Sequence, residues 1–272
     1  METYHVLNFH DIFSENCFCL SKRLGIDIIN DFSPKEGHTY IVFGAHEKAA
    51  DLLFMQQKLK NFKFIIINSE PPMGQFMKNK YYISLMRTNM VWDYNELSSN
   101  YLKELNINVY SRYNFEFVYQ PNEAERDIDI FFCGSKTPRR EAIHGMLKKT
   151  FPDKKIVFHF DWNLTNQAEL TRELQRSKYV LNIPFYNHSV LETHRIHKAL
   201  SCGCKVVSLY SGDKSTDDFY RNYVYLTHDL IDFFNEPEEN DKADYPHLIN
   251  ALSHHTKHNL WIIQQLIDLD KE

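Results

Sequence analysis

Long apolar runs are missing from the 272-residue sequence, in which no stretch of about 18 apolar residues could form a membrane-spanning helix. The first residues, Met1 to His5, also lack the basic and then apolar pattern of a secretory signal peptide. We therefore expect a cytoplasmic protein with at most peripheral membrane association.

An excess of positive charge is absent as well. The chain carries 31 Lys and Arg against 36 Asp and Glu, a formal net charge of -5, so it lacks the basic field typical of nucleic-acid binding. The 5 cysteines form no CxxC pair and the 14 histidines form no HExxH motif, which argues against disulfides and zinc. We expect neither a nucleic-acid partner nor a bound metal.

Glycine is scarce, with 8 residues, and none of them belongs to the GxGxxG fingerprint of dinucleotide-binding enzymes. A dinucleotide-dependent oxidoreductase is therefore the least favoured enzyme class. Hydrophobic residues make up 43% of the chain, which is ordinary for a globular protein and sufficient for a core.

What the sequence does contain is an alternation of short apolar runs and amphipathic segments. Predicted strands cover residues 4–9, 39–44, 62–68, 90–92, 115–119, 128–133, 155–160, 179–183 and 205–209. Predicted helices cover residues 16–24, 48–60, 95–105, 138–149, 167–176, 189–201 and 245–270. Nearly continuous apolar strands between helices are typical of parallel sheets covered on both faces. The pattern predicts an α/β chain with two Rossmann-like, doubly wound domains.

A polar, turn-prone stretch at Pro121 to Glu123 separates the two halves of this alternation. We expect a first domain over residues 1–122 and a second over residues 123–255. A C-terminal helical segment, residues 256–272, follows them.

Two loops after predicted strands of the second half suit an anion. Gly134 permits a tight turn before a predicted helix whose first N–H groups are unpaired, and Lys136, Arg139 and Arg140 add positive charge there. The alternative is an ordinary capped turn with solvated basic residues.

The second loop leads into the helix predicted to begin at Ser189. Glu192 and Arg195 are three residues apart and share its first turn, and Gly203 is placed to end the helix. This turn could hold sugar hydroxyls and phosphate together. The alternative for Glu192 is a capping carboxylate paired with Arg195 on a solvated face.

The order of these segments resembles the nucleotide-binding half of GT-B glycosyltransferases, most closely the bacterial and viral CgeB-like or glycosyltransferase family 1 group. Residues 127–140, 177–182 and 189–208 carry the resemblance. Ile67 to Glu70 is similar to the group's Asn-x-Glu strand end, and Val91 to Tyr94 to its Trp-Asp-Tyr segment. The similarity spans most of the chain.

The resemblance implies two domains facing across a cleft, with the C-terminal helix packing back on the first domain. It further implies transfer of a hexosyl or related sugar from a nucleotide-diphosphate donor to a hydroxyl of a glycan or other acceptor. The nucleotide sugar is then a co-substrate, and no cofactor or metal is required.

The donor-site residues implied by the resemblance lie in the second domain. Glu192 would accept hydrogen bonds from ribose hydroxyls. The diphosphate would be bound by Arg195 or the amides of Val190 and Leu191, and by Arg139 beside the turn at Gly134 and Ser135.

A catalytic base would come from a strand-end loop of the first domain. Glu70 and His46 are the leading candidates, ahead of Asp11, since each follows an apolar strand and can take a proton near neutral pH. An inverting enzyme needs such a base, whereas a retaining enzyme does not.

Two further functions stay open. A nucleotide-sugar-binding protein without transferase activity would keep the donor residues and lack a functional base. A nucleotide-sugar epimerase of the same two-domain shape would convert the donor without an acceptor.

Overall fold

Parallel strands alternate with helices along the computed structural model, which describes residues 3–30, 32–59, 61–122, 125–160, 166–186, 189–237 and 241–269. Glu123 at the predicted domain boundary lies outside the described residues, as do Lys60 and Asp270 at the ends of two predicted helices. The chain divides into two compact units. Unit 1 comprises Met1–Glu116 with Ala251–Glu272, and unit 2 comprises Phe117–Asn250.

Unit 1 is built on a six-stranded parallel sheet with the strand order β2-β1-β3-β4-β5-β6. Its strands are β1 (Thr3–Asn8), β2 (Asp27–Ile29), β3 (His38–Phe43), β4 (Lys63–Asn68), β5 (Met90–Asp93) and β6 (Val109–Arg112). The α-helices between them are α1 (Ser14–Leu24), α2 (Ala49–Lys58), α3 (Lys80–Arg87) and α4 (Glu96–Glu104). Short 3-10 turns cover Asp11–Phe13, Ala45–Lys48 and Gln75–Lys78.

Unit 2 is built on a five-stranded parallel sheet with the order β11-β10-β9-β7-β8. Its strands are β7 (Ile128–Gly134), β8 (Ile156–Phe160), β9 (Ser177–Asn182), β10 (Lys205–Leu209) and β11 (Tyr225–Thr227). Its helices are α5 (Pro138–Thr150), α6 (Gln167–Gln175), α7 (Thr193–Ser201), α8 (Lys214–Tyr220) and α9 (Leu230–Asn235).

The last helix of the chain is α10 (Tyr245–Leu269), which begins in unit 2 and continues in unit 1. No helix among the described residues is both long and apolar enough to cross a bilayer.

The central strands β4 and β7 are buried on both faces, which explains their nearly continuous apolar sequences. In β7 the consecutive residues Ile130, Phe131 and Phe132 are fully buried, and Ile65, Ile66 and Ile67 are buried in β4. Burying one such side chain contributes about 1.5–3 kcal/mol. The prediction of two Rossmann-like α/β domains is confirmed by the two parallel sheets.

Both sheets place their first strand between their second and third strands. In unit 1, β1 pairs with β2 and β3, and in unit 2, β7 pairs with β8 and β9. The strand order therefore reverses at β1/β3 and at β7/β9. In doubly wound sheets, ligands bind beyond the carboxyl ends of the strands at such a switch point.

The strand predicted at residues 115–119 is wrong. The structure describes these residues and shows no strand there, whereas the sheet ends on β6 at Val109–Arg112. Phe115 and Phe117 are buried, so the apolar pattern is genuine. Phe115 packs on Phe13 at a ring-centroid distance of 6.0 Å, which shows that side chains can be buried without strand pairing.

Candidate functional site

The switch point of unit 2 is occupied by three charged side chains, Arg140, Arg195 and Glu192, called the arginine cluster below. Arg195, on α7, donates from Nε to the Cys133 carbonyl at 3.2 Å and from Nη1 to Asn182 Oδ1 at 3.1 Å. These acceptors lie at the carboxyl ends of β7 and β9. The guanidinium group of Arg195 is therefore held between the two strands where the order reverses.

Arg140 reaches the same place from the first turn of α5. It is 1% exposed and donates to the carbonyls of Ile183 and Ser135, the latter at 2.9 Å from Nη1. Burial lowers the pKa of Arg140 to about 10, and the nearby charge of Arg195 adds to this effect. Arg140 stays protonated at neutral pH, so two cations lie side by side.

Glu192 bridges these two cations. Its Oε1 accepts from Arg140 Nη2 at 2.9 Å and from the Phe185 N–H at 2.8 Å, and its Oε2 forms an ion pair with Arg195 Nη1. Two guanidinium groups and one carboxylate leave one net positive charge at the switch point. Such a partly buried surplus cation favours an anionic ligand.

Gly134 leaves space for the guanidinium groups of this arrangement. A Cβ atom at this position would lie 2.8 Å from Arg195 Nη2 and 3.3 Å from Arg140 Nη1, so any side chain here would force the Arg195 guanidinium group to shift. The residue ends β7 without a left-handed φ angle, so the predicted role in a tight turn is wrong. The glycine instead allows the two guanidinium groups to lie close to its backbone.

The predicted start of the second helix is also wrong. Helix α7 begins at Thr193, and the N–H groups of Arg195 and Ile196 donate to the Glu192 carbonyl. Val190 and Leu191 precede the helix and are buried, with 1% and 0% exposure. Their apolar side chains mimic a helical pattern, but their amides do not belong to the first helical turn.

Among the predicted donor residues, the structure brings Gly134, Ser135, Glu192 and Arg195 together. Arg139 is half-exposed on α5, whereas its neighbour Arg140 turns into the cluster. Adjacent helical residues point about 100° apart, so only one of the two can face the strand ends. The sequence indicated Arg140 only as a nearby basic residue, and nothing local distinguishes it from Arg139.

A histidine and an acid lie beyond the carboxyl ends of the neighbouring strands β3 and β4 in unit 1. His46 follows β3, and its Nδ1 lies 3.5 Å from Glu70 Oε1, which follows β4. Its Nε2 lies 3.5 Å from Glu47 Oε1, and its ring packs on Phe76 at a centroid distance of 4.4 Å. Gly44 begins the turn that carries His46, with φ of +67°. The structure therefore places both predicted base candidates side by side.

Burial shifts the two pKa values of this pair in opposite directions. Desolvation and the charge of Glu47 raise the pKa of Glu70 to about 7. Desolvation, opposed by Glu47 and assisted by His10, lowers the pKa of His46 to about 4. At neutral pH the imidazole is neutral, and Glu70 is poised to take a proton.

Asp11, the third predicted base candidate, lies exposed in the 3-10 turn after β1. Sequence reasoning assigned no chemical role to two buried polar residues near Glu70, which are Asn68 at the end of β4 and Asp93 at the end of β5. Each is a polar residue that ends a strand directly after buried apolar residues. That contrast is a signal by which both could have been singled out.

No family model matches the chain, and no curated protein matches it. A similar solved chain belongs to the "Glycosylation Associate Protein (Gap123) complex from Streptococcus agalactiae". The two are 11% identical with a TM-score of 0.42, and the match covers 86% of this chain and 51% of that one. This chain thus spans about half the length of that protein.

Proposed function

We propose that the chain is a glycosyltransferase that takes its sugar from a nucleoside diphosphate donor, with the diphosphate bound at the arginine cluster. The supporting observation is the fixed guanidinium group of Arg195 against Gly134 at the switch point of unit 2. Among the described residues, no acceptor is bonded to its Nη2 group. That group can donate two hydrogen bonds to phosphate oxygens.

Each member of the arginine cluster has a separate task in this proposal. Arg195 contacts the phosphate, since its Nη2 group lies beside the bare Cα of Gly134. Arg140, whose donors are taken up by carbonyls and Glu192, contributes charge and holds Glu192 in place. Glu192 orients both guanidinium groups, and its 28% exposed side chain can still accept from a ribose hydroxyl.

The proposed reaction breaks the bond between the anomeric carbon and the donor phosphate oxygen. The departing nucleoside diphosphate keeps the electron pair, and the cations of Arg140 and Arg195 stabilise it. The acceptor oxygen bonds to the anomeric carbon and releases its proton to Glu70, whose pKa of about 7 suits a general base. Because guanidinium groups supply the positive charge, we expect transfer to survive treatment with a chelator.

Calorimetry with UDP, GDP, CDP and ADP, and with their sugar conjugates, tests donor binding. Arg195→Gln is expected to weaken the best ligand about 10- to 100-fold, the loss typical of a hydrogen bond to a charged group. Arg221→Gln is the matched control, because Arg221 pairs with Asp218 on the surface of unit 2. The assignment fails if no nucleotide binds or if both variants bind alike.

Turnover separates a transferase from the alternatives. Glu70→Gln is expected to slow transfer about 100- to 10,000-fold while leaving nucleotide affinity unchanged, because the base is removed and the donor site is kept. Binding without turnover in the wild-type protein would indicate a nucleotide-sugar-binding protein. Conversion of the donor sugar without an acceptor would indicate an epimerase.

A further inference from the structure

Asn68 holds the backbone of Glu70 at two points. The Glu70 N–H donates to Asn68 Oδ1 at 3.2 Å, and Asn68 Nδ2 donates to the Glu70 carbonyl at 3.2 Å. Asn68 itself is fully buried at the end of β4. The Asn68 amide thus pairs with both backbone groups of Glu70, as a neighbouring strand would. It holds the Glu70 backbone in place, and so it determines the position from which the Glu70 side chain extends.

The orientation of the Asn68 amide is set by two further buried groups. Asn68 Nδ2 donates to Asp93 Oδ2 at 2.7 Å, and the Tyr82 hydroxyl donates to Asn68 Oδ1 at 2.8 Å. A carboxylate only accepts hydrogen bonds, so it must face the NH2 group. With the amide reversed, the contact with Asp93 would be lost, and the Glu70 N–H would face a donor.

Asp93 is in turn held by donors. Ser98 Oγ donates to its Oδ2 at 2.9 Å and the Asn95 N–H to its Oδ1 at 2.9 Å. Asp93 is fully buried, and burial raises its pKa to about 6 while these hydrogen bonds oppose the rise. A buried network of this kind favours one arrangement of its members, because an unpaired polar group would be costly.

We propose that Asn68 and Asp93 are positioning residues that keep the Glu70 carboxyl group against His46. The hydrogen-bonded chain runs from Asp93 through the Asn68 amide to both backbone groups of Glu70. The carboxyl group then faces His46 at 3.5 Å, with Glu47 and Tyr82 as the other titratable neighbours and His10 beyond His46. The consequence for catalysis rests on the proposed function, whereas the positioning of Glu70 does not.

The test follows the carboxyl group of Glu70 by carbon NMR in protein labelled at glutamate, with Glu70→Gln used for assignment. In Asn68→Ala and in Asp93→Asn, the Glu70 titration midpoint is expected to fall by about one pH unit, since the released carboxyl group gains access to water. A merely structural network would leave this midpoint where it is. An unchanged midpoint in a folded Asn68→Ala variant overturns the proposal.

Asn89→Ala is the matched control. Asn89 also holds backbone groups, because its Oδ1 accepts from the Phe64 N–H at 3.2 Å and its Nδ2 donates to the Leu85 carbonyl at 2.8 Å. Asn89 contacts β4 at the end opposite to Asn68. Asn89→Ala is therefore expected to leave the titration midpoint of Glu70 unchanged. If Asn68→Ala does not fold, Tyr82→Phe removes only one hydroxyl and is expected to lower the midpoint by less. An unchanged midpoint there overturns the proposal equally.

Turnover provides a second readout. Asn68→Ala is expected to lower kcat about 10- to 100-fold with KM for the nucleotide sugar unchanged, as for a small displacement of a reacting group. A midpoint lowered in Asn68→Ala, together with a wild-type protein that shows no transfer, would refute the proposed function and keep the positioning role. A normal kcat together with an unchanged midpoint would refute the positioning role alone.

Discussion

At the residue scale, the surroundings of Glu70 and His46 decide their chemistry. An exposed glutamate is ionised at neutral pH and an exposed histidine is partly charged. Burial of both beside Phe76 and Tyr82 favours their neutral forms, which moves their pKa values in opposite directions. A carboxyl group that titrates near pH 7 is useful to an enzyme and costly to the fold.

The cost can be measured in Glu70→Gln. The folded protein holds the Glu70 proton up to a pKa of about 7, whereas the ordinary value is 4.5, so the folded state binds more protons between these values. Stability from this group is therefore lost as pH rises through that window. Relative to wild type, the variant is expected to gain about 2 to 3 kcal/mol in free energy of unfolding between pH 5 and pH 8.

Urea unfolding at both pH values measures this difference. Glu104→Gln, at the exposed end of α4, is the control and is expected to show less than about 0.5 kcal/mol of change. An equal response in the two variants would contradict the burial of an ionisable group at position 70.

Gly134 provides a second prediction at this scale. Gly134→Ala places a methyl group 2.8 Å from Arg195 Nη2, so the guanidinium group must shift, and nucleotide affinity is expected to fall about 10-fold or more. Gly145→Ala, on α5, meets no atom within 4 Å and is expected to stabilise the helix by about 0.5–1 kcal/mol without changing affinity. Calorimetry and thermal unfolding measure both, and equal affinities would contradict the close approach.

At the element scale, the helices after β7 and β9 determine which side chains meet. Helix α5 begins as its sequence predicts, with Thr137 accepting from the Arg140 N–H at 3.1 Å and Pro138 in the first turn. Helix α7 begins later than predicted, after a buried irregular segment. Capping residues are local signals, whereas the burial of Val190 and Leu191 depends on distant elements.

The cap at Thr137 carries a prediction about α5. Thr137→Ala removes the hydrogen bond to the Arg140 N–H and is expected to cost about 1 kcal/mol of stability, while Thr137→Ser restores most of it. Because the same turn presents Arg140, nucleotide affinity is expected to fall modestly in the alanine variant only. Denaturant unfolding with calorimetry checks both effects, and equal behaviour of the two variants would contradict the cap.

At the scale of the whole molecule, the two units differ in how the chain builds them. Unit 2 is continuous from Phe117 to Asn250, whereas unit 1 needs the segment from Ala251 onward. Within unit 1, Asn259 Nδ2 donates to the Arg112 carbonyl at 2.9 Å, and Asn114 Nδ2 donates to the Leu252 carbonyl at 3.2 Å. These hydrogen bonds connect the two parts of unit 1.

Separate expression of the fragments is expected to show this asymmetry. Residues 117–250 should fold and keep the nucleotide affinity of the arginine cluster, because its sheet and core lie within that span. Residues 1–116 alone should be markedly less stable, since Asn114 loses its bond to the Leu252 carbonyl and Ser111 loses its bond to Asn259 Oδ1. Circular dichroism melts and calorimetry test this, and a stable 1–116 fragment would contradict it.

The sequence alone determined the α/β class, most strands and helices, and the loops that carry Gly134, Glu192, Glu70 and His46. Strands buried on both faces and capped helices are specified by neighbouring residues, so their patterns are legible locally. The tertiary structure decided that Arg140 rather than Arg139 joins Glu192, 52 residues away, and that Asp93 reaches Asn68 across 25 residues. Such pairings depend on strand order and helix rotation, which arise only when distant segments pack together.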